Sequence, residues 1–323
     1  MEKTIHTNDN GNKRVLILLS TYNGEQYLAE QLDSLLSQTY KAIDIAIRND
    51  GSTDNTLSIL SEYQKKNPRI TVMNEENVGC ARSFWNLLMY AKEKKDDYTW
   101  FAFCDQDDYW MEDKVAVAVN HLEQAEATGP CLYCSNLTYT DEKLNTLGLK
   151  RKYLPQTDNK AKALVESFST GCTMVFNKAL LEQATASSIE NLHLHDLWVF
   201  HTCMFFGKII YDPHPHILYR QHGNNEIGSK TTLSQQLHSK QKSIKTLRHQ
   251  HVRETEAREL LQAYGPQLSE EDRFLISFVA TYRQHLKYRL SWLLGIRPAP
   301  KGLRMTSMIP NLFLKTRILF GRV

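Results

Sequence analysis

Three carboxylates within four positions, Asp105, Asp107 and Asp108, follow directly on the apolar run Trp100-Phe101-Ala102-Phe103-Cys104. Like charges this close repel, and a divalent cation with oxygen ligands is the simplest way to hold them together. A solvated acidic turn is the other way to read them, since Asp favours turns through local hydrogen bonds. The apolar run fits a short strand covered on both faces. Carboxylates at the carboxyl end of such a strand lie where an open α/β sheet binds phosphorylated ligands. Two further polar clusters end apolar runs in the same way, Ser20-Thr21-Tyr22-Asn23 and Asn49-Asp50-Gly51-Ser52. Tyr22 offers a ring that can stack on a base. Asp50 can accept from the imide N–H that uracil and thymine carry and cytosine lacks. Singly these are turn formers; at three neighbouring strand ends they favour a nucleotide pocket. No G-x-G-x-x-G or G-x-x-x-x-G-K-[ST] follows the first strand, so phosphate is left to a metal.

The elements that must position these clusters alternate over the first two hundred residues. Val15–Leu19, Ile43–Ile47, Ile70–Met73 and Trp100–Cys104 read as strands. Between them, Gly24–Gln38, a stretch that Asp54 can cap and Ala81–Lys94 read as helices. Glu112–Ala127 is expected to be helical and Cys131–Thr138 extended, with a loop or hairpin over Asp141–Asp158. A strand at Cys172–Phe176 and helices near Lys178–Ala186 and Asp196–Phe206 complete this part. The order implies a mostly parallel sheet with right-handed crossovers. Beyond Tyr219 the pattern changes: Gln235–Leu261 reads as a polar helix and Phe274–Leu294 as a more apolar one, broken by Pro298 and Pro300. We place a boundary near Ser229, dividing the chain into residues 1–229 and a helical, basic extension over 230–323.

The chain has 323 residues, enough for one large α/β domain with an appendage or for two domains. Its six cysteines form no disulfide-like framework, and the lone C-x-x-C at Cys131 and Cys134 reads as a pair of structural thiols rather than a zinc or redox site. A reducing compartment follows as the expectation. The opening is polar rather than signal-like, and no apolar stretch approaches the roughly 18 residues that span a bilayer. The expected location is therefore cytoplasmic, free or on a membrane face. Charge is unevenly placed. Residues 273–323 hold ten Lys/Arg and no Asp or Glu, so of the net +3 that segment carries +10 and residues 1–272 carry −7. Basic residues interleaved with Trp292, Leu293, Leu294 and Ile296, and again with Leu312, Phe313 and Leu314, read as an interfacial helix pair for an anionic membrane. A helical cap with a solvated basic face is the competing reading. No recognition motif supports nucleic acid as a partner.

Taken together, several motifs resemble the inverting family 2 glycosyltransferases with a GT-A fold. They are Ser20-Thr21-Tyr22-Asn23, Asn49-Asp50-Gly51-Ser52-Thr53-Asp54, Asn77-Val78-Gly79 and Cys104-Asp105-Gln106-Asp107-Asp108-Tyr109-Trp110. Phe168-Ser169-Thr170-Gly171-Cys172, His195-Asp196-Leu197-Trp198 and Tyr219-Arg220-Gln221-His222-Gly223-Asn224 are similar to the rhamnosyltransferase-like branch that builds bacterial surface polysaccharides. The resemblance covers about residues 13–228. It implies an α/β fold of the GT-A nucleotide-diphospho-sugar transferase type, with a mixed, mostly parallel sheet and here a C-terminal helical extension.

By that resemblance Ser20, Tyr22 and Asp50 contact the nucleoside, and Arg82 approaches the diphosphate unless it is a solvated helix arginine. Asp107 binds Mg²⁺ or Mn²⁺, Asp105 contacts metal or ribose, and Asp108 orients the motif. His222 is a third metal ligand or a diphosphate contact, or else a structural histidine. Asp196 is the catalytic base, with helix capping as its alternative role. Gly171 allows close backbone approach to the acceptor, beside His195; Trp110 and Trp198 flank the sugar or belong to the core. The implied activity moves a sugar, L-rhamnose from dTDP-L-rhamnose first among candidates, from a dTDP- or UDP-linked donor to a glycan or polyprenyl-linked acceptor. A catalytically inert nucleotide-binding or scaffold subunit of a polysaccharide-assembly complex is the competitor. A sugar-1-phosphate nucleotidyltransferase is disfavoured, because its Gly-rich, Arg-containing loop is absent.

Overall fold

The computed structural model describes residues 13–222 and 252–303. Its centre is a nine-stranded mixed sheet. β1 (Val15–Thr21) pairs in parallel with β2 (Ile43–Asp50) on one side and β4 (Trp100–Cys104) on the other, and β3 (Ile70–Glu75) extends the sheet beyond β2. Past β4 the sheet turns antiparallel through β8 (Val175–Asn177), then β6 (Cys131–Thr140), and ends with β9 (Lys208–Arg220) and the two-residue β5 (Tyr109–Trp110). β7 (Thr146–Leu149) forms a hairpin arm on β6. The strand-helix alternation expected from the first hundred residues is present.

The central strands separate two apolar layers. Leu16 and Leu18 of β1, with Phe101 and Phe103 of β4, face one core; Val15, Ile17, Leu19, Ala102 and Cys104 face the other. This is the period-2 alternation of a strand whose two faces are both covered. α3 (Cys80–Glu93), α6 (Lys178–Ala184) and α7 (His195–Phe206) cover the first face; α1 (Leu28–Leu36) and α4 (Lys114–Gln124) cover the second. α2 (Thr56–Lys66) and the single-turn α5 (Lys160–Ala163) complete the αβ body.

Two local features depart from expectation. Cys172 lies in a 3₁₀ turn over Gly171–Thr173, and the strand begins only at Val175. Thr170 drives this: its carbonyl accepts from the Thr173 N–H at 2.9 Å and from the Thr173 hydroxyl at 2.7 Å, closing a turn where the residue types suggested extension. The other is β9, thirteen residues long although Pro213 and Pro215 punctuate it. The prolines fall where the β6–β9 register shifts, which is where a strand tolerates missing donors. Asp212 ties the irregular stretch down, accepting from the Tyr133 hydroxyl at 3.0 Å and the His214 backbone at 2.9 Å. The six cysteines are all free, with Cys131 and Cys134 buried.

The second described segment consists of α8 (Val252–Tyr264), α9 (Glu270–Thr281) and α10 (Leu286–Leu294). Ala257, Leu260, Tyr264, Ile276, Phe278 and Trp292 share one continuous core with the α3/α7 face of the sheet. Tyr264 stacks on Trp198 with centroids 5.5 Å apart and donates to the Gln183 carbonyl at 2.8 Å. The Ser229 boundary lies outside the described residues, as do the expected helix over 235–251 and the second half of the basic tail.

Candidate active site

Parallel pairing brings the ends of β1, β2 and β4 to one edge, and the three polar clusters meet there. Gln106 links the first and third. Its side-chain oxygen accepts from the Thr21 hydroxyl at 2.6 Å and the Tyr22 N–H at 2.8 Å, and its amide donates to the Tyr22 carbonyl at 3.2 Å. Gly24 closes against the same amide, since a Cβ there would stand 2.5 Å from its oxygen. The Tyr22 ring remains 47% exposed, so it is available to a flat ligand. Ser20 shares a 2.6 Å hydroxyl contact with Ser83 of α3.

Asp50 is buried and already heavily used. The N–H groups of Val78 and Gly79 donate to its two oxygens, each at 3.0 Å, and the buried Arg48 pairs with it. Arg48 also donates to the Glu76 carbonyl at 2.9 Å. Asp50 therefore builds the pocket wall from the Asn77-Val78-Gly79 loop, and only its remaining lone pairs face a ligand. Arg82 donates to the Glu190 carbonyl at 2.6 Å, which anchors α3 to the segment before α7.

The carboxylates of the β4 turn divide by environment. Asp107 reaches outward, its Oδ2 2.7 Å from His222 Nε2. Asp108 is fully buried, with Oδ1 accepting from the Arg220 N–H at 3.3 Å. Burial first, then the neighbouring charges of Asp107 and Asp105, hold the Asp108 carboxyl well above its ordinary range. Asp105, Asp108 and Cys172 present ligand atoms within 4.8 Å of one another. Burial, then the charges of Asp108 and Asp105, push the Cys172 thiol far up. A neutral thiol is a poor ligand for a hard cation. Asp105, and Asp107 beside His222, are the other side chains of this turn that could hold a divalent ion such as Mg²⁺ or Mn²⁺.

Arg220 holds this constellation from behind. It is buried, donates to the Asp107 carbonyl at 2.9 Å, contacts the Glu142 carbonyl and Glu30 of α1, and lies 4.5 Å from the Tyr27 ring centroid. Tyr27 in turn packs on His222, with ring centroids 5.1 Å apart.

Asp196 stands in the first turn of α7. Its Oδ1 accepts from the Leu197 N–H at 2.8 Å and its Oδ2 from the Gly171 N–H at 3.1 Å; the helix N-cap is Leu194, with no side-chain cap. A Cβ on Gly171 would lie 3.1 Å from the Asp196 Cβ, so a larger residue there would press on Asp196. His195 points the other way, into the core. It stacks on Phe84 at 3.8 Å and meets Phe103 edge-on at 4.7 Å, and burial lowers its pKa to about 4.

Trp110 and Trp198 are also fully buried, which corrects their expected place beside the sugar. Trp110 packs under Lys114, whose ammonium lies 3.4 Å from the ring centroid, and Trp198 donates to the Ala184 carbonyl at 2.9 Å. The apolar neighbours of Trp198 gave that signal in the sequence, whereas Trp110 stands between Asp108 and Glu112. Arg48, Gln106 and Arg220 were missed as site builders, because each acts through partners distant in the chain.

The family profile described as "Glycosyl transferase family 2" matches residues 16–185, more than half of the chain and the whole region from β1 to the end of α6. The chain belongs to this family. Over 221 residues, 65% of this glycosyltransferase and 74% of the relative, it is 32% identical to the Shigella flexneri protein called dTDP-rhamnosyl transferase RfbG. It is 31% identical over 191 residues to an uncharacterized glycosyltransferase of Rickettsia typhi, spanning 57% of that relative's length. Among solved structures, S. aureus TarS 1-349 matches with a TM-score of 0.54 at 16% identity, covering 91% of this chain and 78% of that one. That likeness concerns the fold, which is the α/β GT-A type, with helices added after the sheet. The glycosyltransferase is rhamnosyltransferase-like in its sequence relationships.

Proposed function

We propose that this glycosyltransferase is an inverting, metal-dependent enzyme that transfers L-rhamnose from dTDP-L-rhamnose to a glycan or polyprenyl-linked acceptor during assembly of a bacterial surface polysaccharide. One observation carries the mechanism: the Gly171–Thr173 turn touches both groups, the Gly171 N–H donating to Asp196 Oδ2 while Cys172 presents its Sγ within 4.8 Å of ligand atoms of Asp105 and Asp108. One relative, named as a dTDP-rhamnosyl transferase, supports the sugar and its carrier; TarS, solved with UDP-GlcNAc and with UDP, fits a nucleotide-linked donor in general.

Asp107, His222 and Asp105 would hold the cation, which when bound neutralises charge on the leaving diphosphate. Asp196 takes the acceptor's hydroxyl proton as the acceptor oxygen bonds to the anomeric carbon. The bond from that carbon to the β-phosphate oxygen breaks in the same displacement, and its electron pair leaves with the nucleoside diphosphate. The Gly171 N–H holds Asp196 Oδ2 in place, and Tyr22 and the Asp50-organised loop seat the nucleoside.

Attachment to the inner face of an anionic membrane fits the acceptor and the basic tail. Among the described residues no helix is long and apolar enough to cross a membrane. α10 buries Trp292 yet exposes Leu286, Leu290 and Leu294, one turn apart. Lys287 and Arg297 flank this stripe.

The donor is tested by nucleotide release from a panel of sugar nucleotides with Mn²⁺, where dTDP-L-rhamnose is expected to give the highest turnover. Asp196→Asn is expected to abolish transfer while dTDP affinity stays within about threefold, because the base touches the acceptor and not the nucleotide. Retained turnover in that variant refutes the base assignment.

A further inference from the structure

The cations around the cleft are mostly committed. Arg48 is paired with Asp50, and Arg82 with the Glu190 carbonyl. Arg151 donates to the carbonyls of Phe168 and Ser167 at 3.2 Å each. Arg220 is locked behind Asp107. Lys114 is sealed against Trp110.

Lys150 differs. It follows β7 at the root of the hairpin arm, where its N–H donates to the Leu137 carbonyl at 3.0 Å. Its ammonium reaches the Thr170 hydroxyl, and among the described residues it has no carboxylate within ion-pair distance. Lys150 is half-buried, and one hydroxyl partner leaves two N–H donors of its ammonium for an anion, with the charge of Asp196 also acting on it. Burial accordingly holds Lys150 below its ordinary pKa.

The position is defined by the turn it touches. Thr170 precedes Gly171, whose N–H holds Asp196, and Cys172, whose Sγ lies within 4.8 Å of the nearest Asp105 and Asp108 ligand atoms. Lys150 thus stands at the turn that separates the metal-binding carboxylates from the base. In the proposed reaction the bond that breaks lies in this interval.

We propose that Lys150 is a second cation of the donor site, donating a charge-assisted hydrogen bond to the β-phosphate of the nucleotide sugar and to the diphosphate that leaves. This rests on the donor reading above. It assigns Lys150 the side of the leaving group opposite the Asp107–His222 pair, so that the electron pair left on the β-phosphate oxygen meets positive charge on two sides. Thr170 aims the ammonium.

The test compares nucleoside diphosphate with nucleoside monophosphate, which share every contact except the β-phosphate. Binding of dTDP and dTMP, and of UDP and UMP, is measured calorimetrically with Mn²⁺ for the wild type, Lys150→Met and Lys150→Arg. Lys150→Met is expected to weaken the diphosphate by roughly 10- to 100-fold, the worth of a hydrogen bond to a charged group, with monophosphate affinity unchanged. Lys150→Arg should keep most of the preference. Lys150→Gln serves as the second neutral variant if the methionine form does not fold. Equal losses for both nucleotides, or none, overturn the assignment while leaving the nucleotide site standing. A wild type that binds no nucleoside diphosphate overturns the donor reading itself.

Discussion

His195 and Asp196 are neighbours with opposite fates, and the contrast shows how burial divides chemistry at the scale of a residue. Asp196 keeps water and backbone donors; His195 is pressed between Phe84 and Phe103 with no hydrogen-bond partner for either ring nitrogen. A histidine held neutral in this way binds its proton less readily when folded than when unfolded. Its folded value of about 4 against an ordinary 6.5 means that stability is intact above about pH 6.5 and falls as the pH drops toward 4. The loss at pH 4 amounts to about 3 kcal/mol from this one group. Replacing it with an aromatic that cannot titrate, His195→Phe, should flatten the melting temperature over that window relative to the wild type. Parallel pH–melting curves for the two proteins would show that the acid loss arises elsewhere.

Elements meet at the active site through a few long-range ties, and Arg220 carries more of them than its neighbours. It ends β9, reaches α1 through Glu30, and fixes the carbonyl of Asp107 in the turn after β4. Two residues later the chain supplies His222 to Asp107. The Asp107–His222 pair therefore exists only when β9 has docked. Arg220→Ala should cost about 3 kcal/mol of stability, as removal of a buried, hydrogen-bonded charge does. Mn²⁺ affinity should fall by roughly 10-fold or more, as it does when the groups that orient metal ligands are lost. Arg220→Lys should recover part of the stability but less of the metal affinity, because an ammonium cannot span the guanidinium's partners. A variant with lowered stability and unchanged metal affinity would show that the arginine only packs.

The molecule joins an αβ body to C-terminal helices that share its core, of which α10, with Lys287 and Arg289 and no acid, is the basic one. Trp292 and Tyr282 are buried against that core, so α10 is held in place by packing while its leucine stripe stays outside. The proposed membrane attachment is thereby separable from folding. The triple change Leu286→Ser, Leu290→Ser and Leu294→Ser should release the protein from vesicles containing anionic lipid, with a melting temperature within about 2 °C of wild type, since exposed positions contribute little to stability. Co-sedimentation with acidic and neutral vesicles reads the result. Undiminished binding by the triple variant would assign the surface to another part of the chain.

The sequence alone carried the body of this protein because its signals are local. β4 begins and ends where its apolar run does, and the three polar strand ends coincide with the cleft. Adjacent parallel strands and right-handed crossovers leave little freedom once that order is read. Distant partners were beyond it. The two prolines concealed β9, the Thr170 turn replaced the start of β8, and nothing in the spacing of Lys150, Arg48 or Arg220 announced the site. Whether a tryptophan flanks a sugar or fills a core, and whether an aspartate binds metal or stays protonated beneath it, depends on how much water folding leaves around it. Only the tertiary structure decides that, because desolvation is a property of the packed whole.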